Sequence, residues 1–239
     1  MAEAVEQQAA GGQAGGPRTV RIDVWTDLVC PWCYVGQARL DEAIAAEGVD
    51  VDLRVHSFEL DPSAPHAHAD APSNLDHLVQ AKGMPRDQVE AMEQRIGRMA
   101  AEIDRPYVVE RPMANTRALH RIVKVVEAYA GAPAAASFFA AVQGGYFAGT
   151  LDPFDQDAVI AQAVAAGAPE DAVRAAASGE DTAAEAAVAA DIQQARQMGA
   201  QGVPFMVFDE RMAAPGAMDI DTYRRALRQL ADATEVSGS

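Results

Sequence analysis

The chain has two cysteines, and they stand three positions apart in Cys30-Pro31-Trp32-Cys33. That placement uses the whole thiol inventory. No larger disulfide framework can be built from it, and no second pair exists to complete a four-thiolate zinc site. What remains is a dithiol that can close into a small ring and open again. Its setting narrows the choice further. The segment Val20-Arg-Ile-Asp-Val-Trp25 before it reads as a strand. The segment after it, from about Pro31 to Glu47, reads as a helix with Leu40, Ala43 and Ile44 on one face and Gly48 as its stop.

Beyond that helix, residues 50–58 alternate apolar and polar with period two, the mark of a half-buried strand. The order β-α-β requires a crossover that brings the two strands parallel. From Asp61 to about Gly179 the strand signal fades and helical spacing takes over. Ser73 is placed as a cap before Leu75, Leu78 and Val79. Pro85 is placed at a first helical position before the stripe Val89, Met92, Ile96, Met99 and Ile103. Leu119, Ile122, Val126 and Tyr129 form another stripe, as do Phe138, Phe139, Val142 and Tyr146. A helix over about Asp181 to Met198 follows. Then come a strand from Val203 to Phe208, a short partner strand near Arg211 to Ala214, and a last helix carrying Tyr223, Leu227 and Leu230. The expected class is α/β, a thioredoxin-like fold with a four-stranded mixed sheet and a large all-helical insertion after the second strand. The expected divisions are a flexible tail over 1–18, the thioredoxin-like domain over 19–60 and 180–232, the inserted helical subdomain over 61–179, and a flexible tail over 233–239.

Cys-x-x-Cys at a strand-to-helix junction points to a redox centre. Only a thiolate attacks a disulfide. Cys30 falls just outside the first turn of the helix, where unpaired N–H groups and the macrodipole favour negative charge. Pro31 suits the first helical position, because its missing N–H would have been an orphan there. Cys33 falls one turn in and is expected to be more covered. Cys30 is therefore assigned as the attacking thiol, Cys33 as the resolving thiol, and Pro31 and Trp32 as residues that tune potential and access. Asp27, three before Cys30, has two readings: a carboxylate that modulates the thiols, or a loop residue bonded to local backbone. In such a frame the loop before the third strand faces the dithiol. A cis Pro204 there would leave the backbone of Val203 free to pair with a substrate strand.

Four stretches carry a family resemblance: Asp27-Leu-Val-Cys-Pro-Trp-Cys-Tyr-Val-Gly36, His56-Ser-Phe-Glu-Leu-Asp-Pro62, Asn115-Thr-Arg-Ala-Leu-His120 and Gly202-Val-Pro-Phe-Met-Val-Phe208. Together and in this order the chain resembles the FrnE branch of DsbA-like thiol–disulfide oxidoreductases. The resemblance implies a Cys30/Cys33 redox pair, a cis Pro204, and substrate-side positions at Ser57, Phe58, Asn115 and His120. Some relatives in this branch carry a further cysteine pair toward the C-terminus, which this chain lacks.

The formal net charge of −16 disfavours nucleic acid and anionic membrane surfaces as partners. No apolar run approaches the length of a membrane span, and the first 18 residues lack the apolar stretch of a secretory signal. The expected location is the cytoplasm, where a dithiol is more often catalytic than structural. The expected partners are proteins or small molecules that carry a disulfide or thiol. No tightly bound cofactor or metal is expected, and the assembly is expected to be a monomer or homodimer. Glutathione or another low-molecular-weight thiol remains open as a co-substrate. It would dominate in a second reading, a transferase or isomerase of the kappa-class glutathione transferase or 2-hydroxychromene-2-carboxylate isomerase type. A third reading is a non-redox holdase or partner-binding protein.

Overall fold

A computed structural model describes residues 19–66 and 72–232. The expected tails and His68 lie outside the described residues. The element order is β1 (Val20–Thr26), α1 (Pro31–Glu47), β2 (Val51–Ser57), α2 (Asn74–Lys82), α3 (Arg86–Ala101), α4 (Arg117–Ala130), α5 (Ala132–Ala148), α6 (Gln156–Ala165), α7 (Glu170–Ser178), α8 (Thr182–Gln197), β3 (Phe205–Phe208), β4 (Met212–Pro215) and α9 (Ile220–Asp232). The sheet order is β2-β1-β3-β4. β1 pairs parallel with β2, Val20 opposite Val51, and antiparallel with β3, Ile22 opposite Phe208. Helices α2 to α7 form the insertion between β2 and α8. This is the thioredoxin-like arrangement, with a mixed four-stranded sheet and a helical insertion.

Strand alternation sorts β1 onto two faces. Ile22 and Val24 pack with Leu40, Met206, Phe208, Tyr223 and Leu227, under α1 and α9. Trp25 packs with Phe58, Phe205 and Ala195, under α8. A third cluster fills the insertion and reaches back to Leu28, Val35 and Val55. The local signals largely land where residue chemistry puts them. Gly48 ends α1 in a left-handed conformation at φ 63°. The hydroxyl of Ser73 accepts the N–H of Asp76, and the carboxylate of Asp155 accepts those of Asp157 and Ala158. Asp209 and Glu210, at φ 49° and 56°, make the tight turn between β3 and β4.

Two expectations shift. Pro85 is the cap of α3 at ψ 138°, not its first helical residue. The stripe of α4 ends before Tyr129, which is 61% exposed. A larger surprise is the charge inside. Glu93 on α3 and Arg111 are both buried and paired at 3.0 Å. The Arg111 guanidinium lies against the rings of Tyr107, Tyr146 and Phe147 at 4.7, 5.3 and 4.6 Å. It also donates to the carbonyl of Val108. Burial, offset in part by the nearby Arg111 charge, pushes the Tyr146 phenol up to about 12.

The second buried cluster ties the sheet to helices α4 and α8. His56 meets Asp23 Oδ1 through Nε2 at 2.7 Å and Asp191 Oδ1 through Nδ1 at 3.1 Å. Two carboxylate acceptors require two donors, so the ring is an imidazolium. It stacks on Trp25 with centroids 4.4 Å apart. Lys124 from α4 reaches Asp191 at 2.8 Å, and Trp25 Nε1 donates to the Asp191 carbonyl. Burial lowers the His56 pKa, but the hydrogen bonds to Asp191 and Asp23 outweigh it, and the net shift is upward. Asp23 and Asp191 move downward: burial raises each, and His56 with Arg21 or Lys124 overcomes it.

Two predictions follow from these clusters. Arg111→Met leaves Glu93 as an uncompensated buried charge and should cost about 3–5 kcal/mol in urea unfolding. The double variant Arg111→Met/Glu93→Gln should recover part of that loss; a single-variant cost below about 1 kcal/mol would contradict the account. The His56 contribution is full below its unfolded pKa, about 6.5, and drains as pH rises through the higher folded value. The Asp23 and Asp191 contributions drain as pH falls through their lowered values. The neighbouring cations Arg21 and Lys124, both shifted upward on balance by their carboxylate partners, stay charged throughout this window. The unfolding free energy of the parent minus that of His56→Gln should therefore be larger at pH 6 than at pH 9. A difference that stays constant with pH refutes the imidazolium assignment.

Candidate active site

Four chain segments build the dithiol site. β1 ends at Thr26, and the turn Asp27-Leu28-Val29 delivers Cys30 as the N-cap of α1 with Pro31 at its first position. The turn is closed by the Cys30 N–H on the Asp27 carbonyl at 3.2 Å. Gln143 of α5 donates to the carbonyls of Asp27 and Leu28 at 3.1 and 3.3 Å, so the insertion satisfies backbone that the turn leaves over. Tyr34 ties α1 to the same insertion, with its ring 4.6 Å from that of Phe147 and its hydroxyl on the Pro106 carbonyl.

The Cys30 Sγ sits between two backbone groups. It accepts the N–H of Cys33 at 3.3 Å, and its thiol donates toward the Val203 carbonyl at 3.5 Å. Val203-Pro204 is a cis peptide. The β1–β3 ladder begins at Phe205, so the backbone of Val203 stands outside it. α1 approaches this loop through Gly36. A Cβ there would lie 3.2 Å from the Ala217 Cβ and 3.3 Å from the Pro204 Cγ, tighter than ordinary packing.

Both cysteines are free thiols, and both are only 2% exposed. Residue burial therefore does not separate them as the sequence suggested. The cleft does: Cys30 and Val203 line it, together with Val29, Trp32, Leu60 and Met113, and Cys33 does not. Trp32 is 37% exposed at its mouth, whereas Trp25 is core. The Cys33 thiol is pushed well up by burial first, then by the adjacent Cys30; the Thr26 hydroxyl and Asp27 backbone pull it back only in part.

The remaining candidates fall in several places. Asp27 is buried; its carboxylate accepts the Leu60 N–H at 2.8 Å and lies 3.3 Å from His120 Nε2. Its partners are thus distant in sequence rather than local. His120 is buried on α4, its ring parallel to that of Phe139. Ser57 donates its N–H to Asp191, while its buried hydroxyl has no partner among the described residues. Phe58 belongs to the Trp25 cluster. Asn115 spans the Pro62 carbonyl and the Arg117 N–H, beside a separate cavity of about 510 Å³ at the start of α4. None of these five lines the cleft at Cys30. Gln143 and Glu93 went unread in the sequence because a polar residue within a helical stripe looks like its solvent face, and Arg111 because it stands in the break between two helices.

A family model described as a DSBA-like thioredoxin domain matches residues 21–228. The chain belongs to that family. A probable DsbA oxidoreductase from Streptomyces coelicolor shares 34% identity at a TM-score of 0.75, over 88% of this chain and 89% of that one. Two more distant structures share the DsbA-like fold. One is a 2-hydroxychromene-2-carboxylate isomerase (20% identity, TM-score 0.63, 92% of this chain and 100% of that one). The other is the cytosolic disulfide reductase DsbM of Pseudomonas aeruginosa with glutathione (18%, 0.58, 88% and 98%). The uncharacterized protein YwbO of Bacillus subtilis is 51% identical over 45 residues, a stretch of 19% of this chain and 22% of that relative.

The geometry of this DsbA-like site predicts an order of modification. Iodoacetamide at neutral pH should label Cys30 well ahead of Cys33, read by peptide mass, because Cys30 faces the cleft and the buried Cys33 stays protonated. Cys33 labelling should rise only at pH values well above the ordinary thiol range. Equal labelling at neutral pH, or labelling of Cys33 first, would contradict the assignment.

Proposed function

We propose that the protein is a thiol–disulfide oxidoreductase in which Cys30 exchanges with substrate and Cys33 resolves. In the reducing direction the Cys30 thiolate attacks one sulfur of a substrate disulfide. A Cys30–substrate mixed disulfide forms, and the other substrate sulfur leaves as thiolate. Cys33 then loses its proton and attacks the Cys30 sulfur. The ring disulfide closes and the second substrate thiolate departs. Two electrons pass from the dithiol to the substrate; the reverse sequence oxidises a substrate dithiol. The observation that carries this reading is the position of the Cys30 Sγ, set between the Cys33 N–H and the Val203 carbonyl at the wall of a cleft. A substrate strand paired to the Val203 backbone would present its sulfur there.

The four motif stretches support the FrnE branch, with a single dithiol in place of two. A cytoplasmic setting is supported by the fold shared with a reductase described as cytosolic, and by the use of both cysteines in one reactive pair. Among the described residues no helix is long and apolar enough to cross a membrane. A low-molecular-weight thiol as co-substrate is the second reading, favoured by the fold shared with a glutathione-bound reductase and an isomerase.

Cys30→Ser should reduce a disulfide substrate no faster than buffer does. Cys33→Ser should stall at the first step and accumulate a substrate adduct on Cys30, seen by intact mass and released by dithiothreitol. Full activity in Cys30→Ser rules out the mechanism. Unimpaired turnover in Cys33→Ser would move the protein to the small-thiol reading.

A further inference from the structure

The cavity of about 510 Å³ at the start of α4 is lined by neither cysteine. Thr116 is the cap residue of that helix, but its backbone is already helical and its hydroxyl makes no capping bond. Asn115 takes that part instead, its side-chain oxygen accepting the Arg117 N–H at 2.9 Å. The N–H groups of Ala118 and Leu119 then have no acceptor among the described residues. The Thr116 hydroxyl has no partner among them either, although the residue is only 4% exposed. Thr116, Ala118 and Leu119 all line the cavity.

We propose that this cavity binds a small organic carboxylate, with its anion at the α4 N-terminus and its apolar body against Leu119, Ile122, Phe154 and Val159. The inference is independent of the thiol–disulfide reading. Donors are the first argument. Two backbone N–H groups and one hydroxyl converge at the positive end of a helix of 14 residues. Polar groups in such positions are rarely left without partners, so three together mark a place for an acceptor.

Charge is the second argument. Arg117 and Arg121 line the cavity, but Glu59 holds Arg117 at 2.8 Å and Glu185 holds Arg121 at 3.1 Å. His66, also in the lining, is exposed. No surplus guanidinium or ammonium is left to neutralise a dianion such as phosphate, whereas one carboxylate matches the helix end. The nearby acids Asp152 and Asp155 accept N–H groups of their own loop and helix cap and do not line the cavity. Size and wall are the third. The volume falls within the range of small-molecule sites, and buried Leu119, Ile122 and Val159 with half-buried Phe154 give the apolar side.

The test titrates the full-length, isotope-labelled protein at neutral pH with phenylacetate, its neutral analogue phenylacetamide, acetate and inorganic phosphate, and reads amide shifts by NMR. Phenylacetate should bind saturably and shift the Ala118 and Leu119 amide signals. It should bind about tenfold or more tighter than phenylacetamide, which lacks the charge, and acetate, which lacks the apolar body. Thr116→Val keeps the shape of a side chain whose hydroxyl bonds nothing in the fold. It should weaken phenylacetate about tenfold and leave the urea midpoint unchanged. Gln156→Glu, at an exposed lining position, adds a like charge and should weaken phenylacetate but not phenylacetamide. No saturation by phenylacetate up to about 10 mM, phenylacetamide bound equally well, phosphate bound most tightly, or shifts confined to other parts of the chain would each overturn the site. Unaltered phenylacetate affinity in both variants would overturn it as well.

Discussion

A helix N-terminus has N–H groups that its own turns leave unpaired, and here one of them ends on sulfur. The Cys33 N–H points at the Cys30 Sγ from 3.3 Å, with the axis of α1 behind it. The rest of the site is arranged to keep that contact. Pro31 starts the helix without losing a needed donor. Gly36 lets α1 lie against Pro204 and Ala217. The Asp27 turn is clamped by Gln143 from the insertion and by the Leu60 N–H from the end of β2. Each of these groups comes from a different part of the chain, so the chemistry of one sulfur depends on the closure of the whole fold.

The two cysteines differ by position more than by exposure. Cys30 faces the cleft, whereas burial holds the Cys33 thiol protonated. Thiol–disulfide exchange uses such a division. The sulfur that faces the cleft meets the substrate, and the one behind it acts only when a mixed disulfide sits against it. The insertion contributes more than bulk. α2 and α3 supply the far wall of the cleft, and α4 and α5 hold the turn from behind. Buried ion pairs at Glu93–Arg111 and around His56 join the insertion to itself and to the sheet. Such pairs contribute little net stability but are costly to break singly, which favours one docking geometry over others.

Much of this frame was legible in the sequence because it is written in local chemistry. Gly48 and Ser73 mark ends of elements by their own turn and capping preferences, and period-two and helical stripes gave the order of strands and helices. The dithiol was legible because no other cysteine competed with it. The buried charges were not. Glu93 lies in a stripe with Val89, Ile96 and Ala100, yet its partner Arg111 is eighteen residues away in a loop. Asp23, His56, Lys124 and Asp191 come from four separate elements. A polar residue shows its burial only when its partner is known, and no spacing rule links residues so far apart. The expected difference in burial between Cys30 and Cys33 failed for a related reason: the assembled fold leaves each only 2% exposed, which the first turn of α1 alone does not reveal.

The central claim is that Cys30 and Cys33 act as one two-electron couple. The most direct measurement equilibrates the protein in buffers of graded reduced-to-oxidised glutathione ratio, with the fraction closed read as a mass loss of two hydrogens after acid trapping. The account predicts a single transition between open dithiol and closed ring, following a two-electron slope of about 30 mV per tenfold change, with no lasting glutathione adduct. Thiols that stay open throughout an accessible range of potentials would contradict it, as would a stable mixed disulfide on Cys30 in place of the ring.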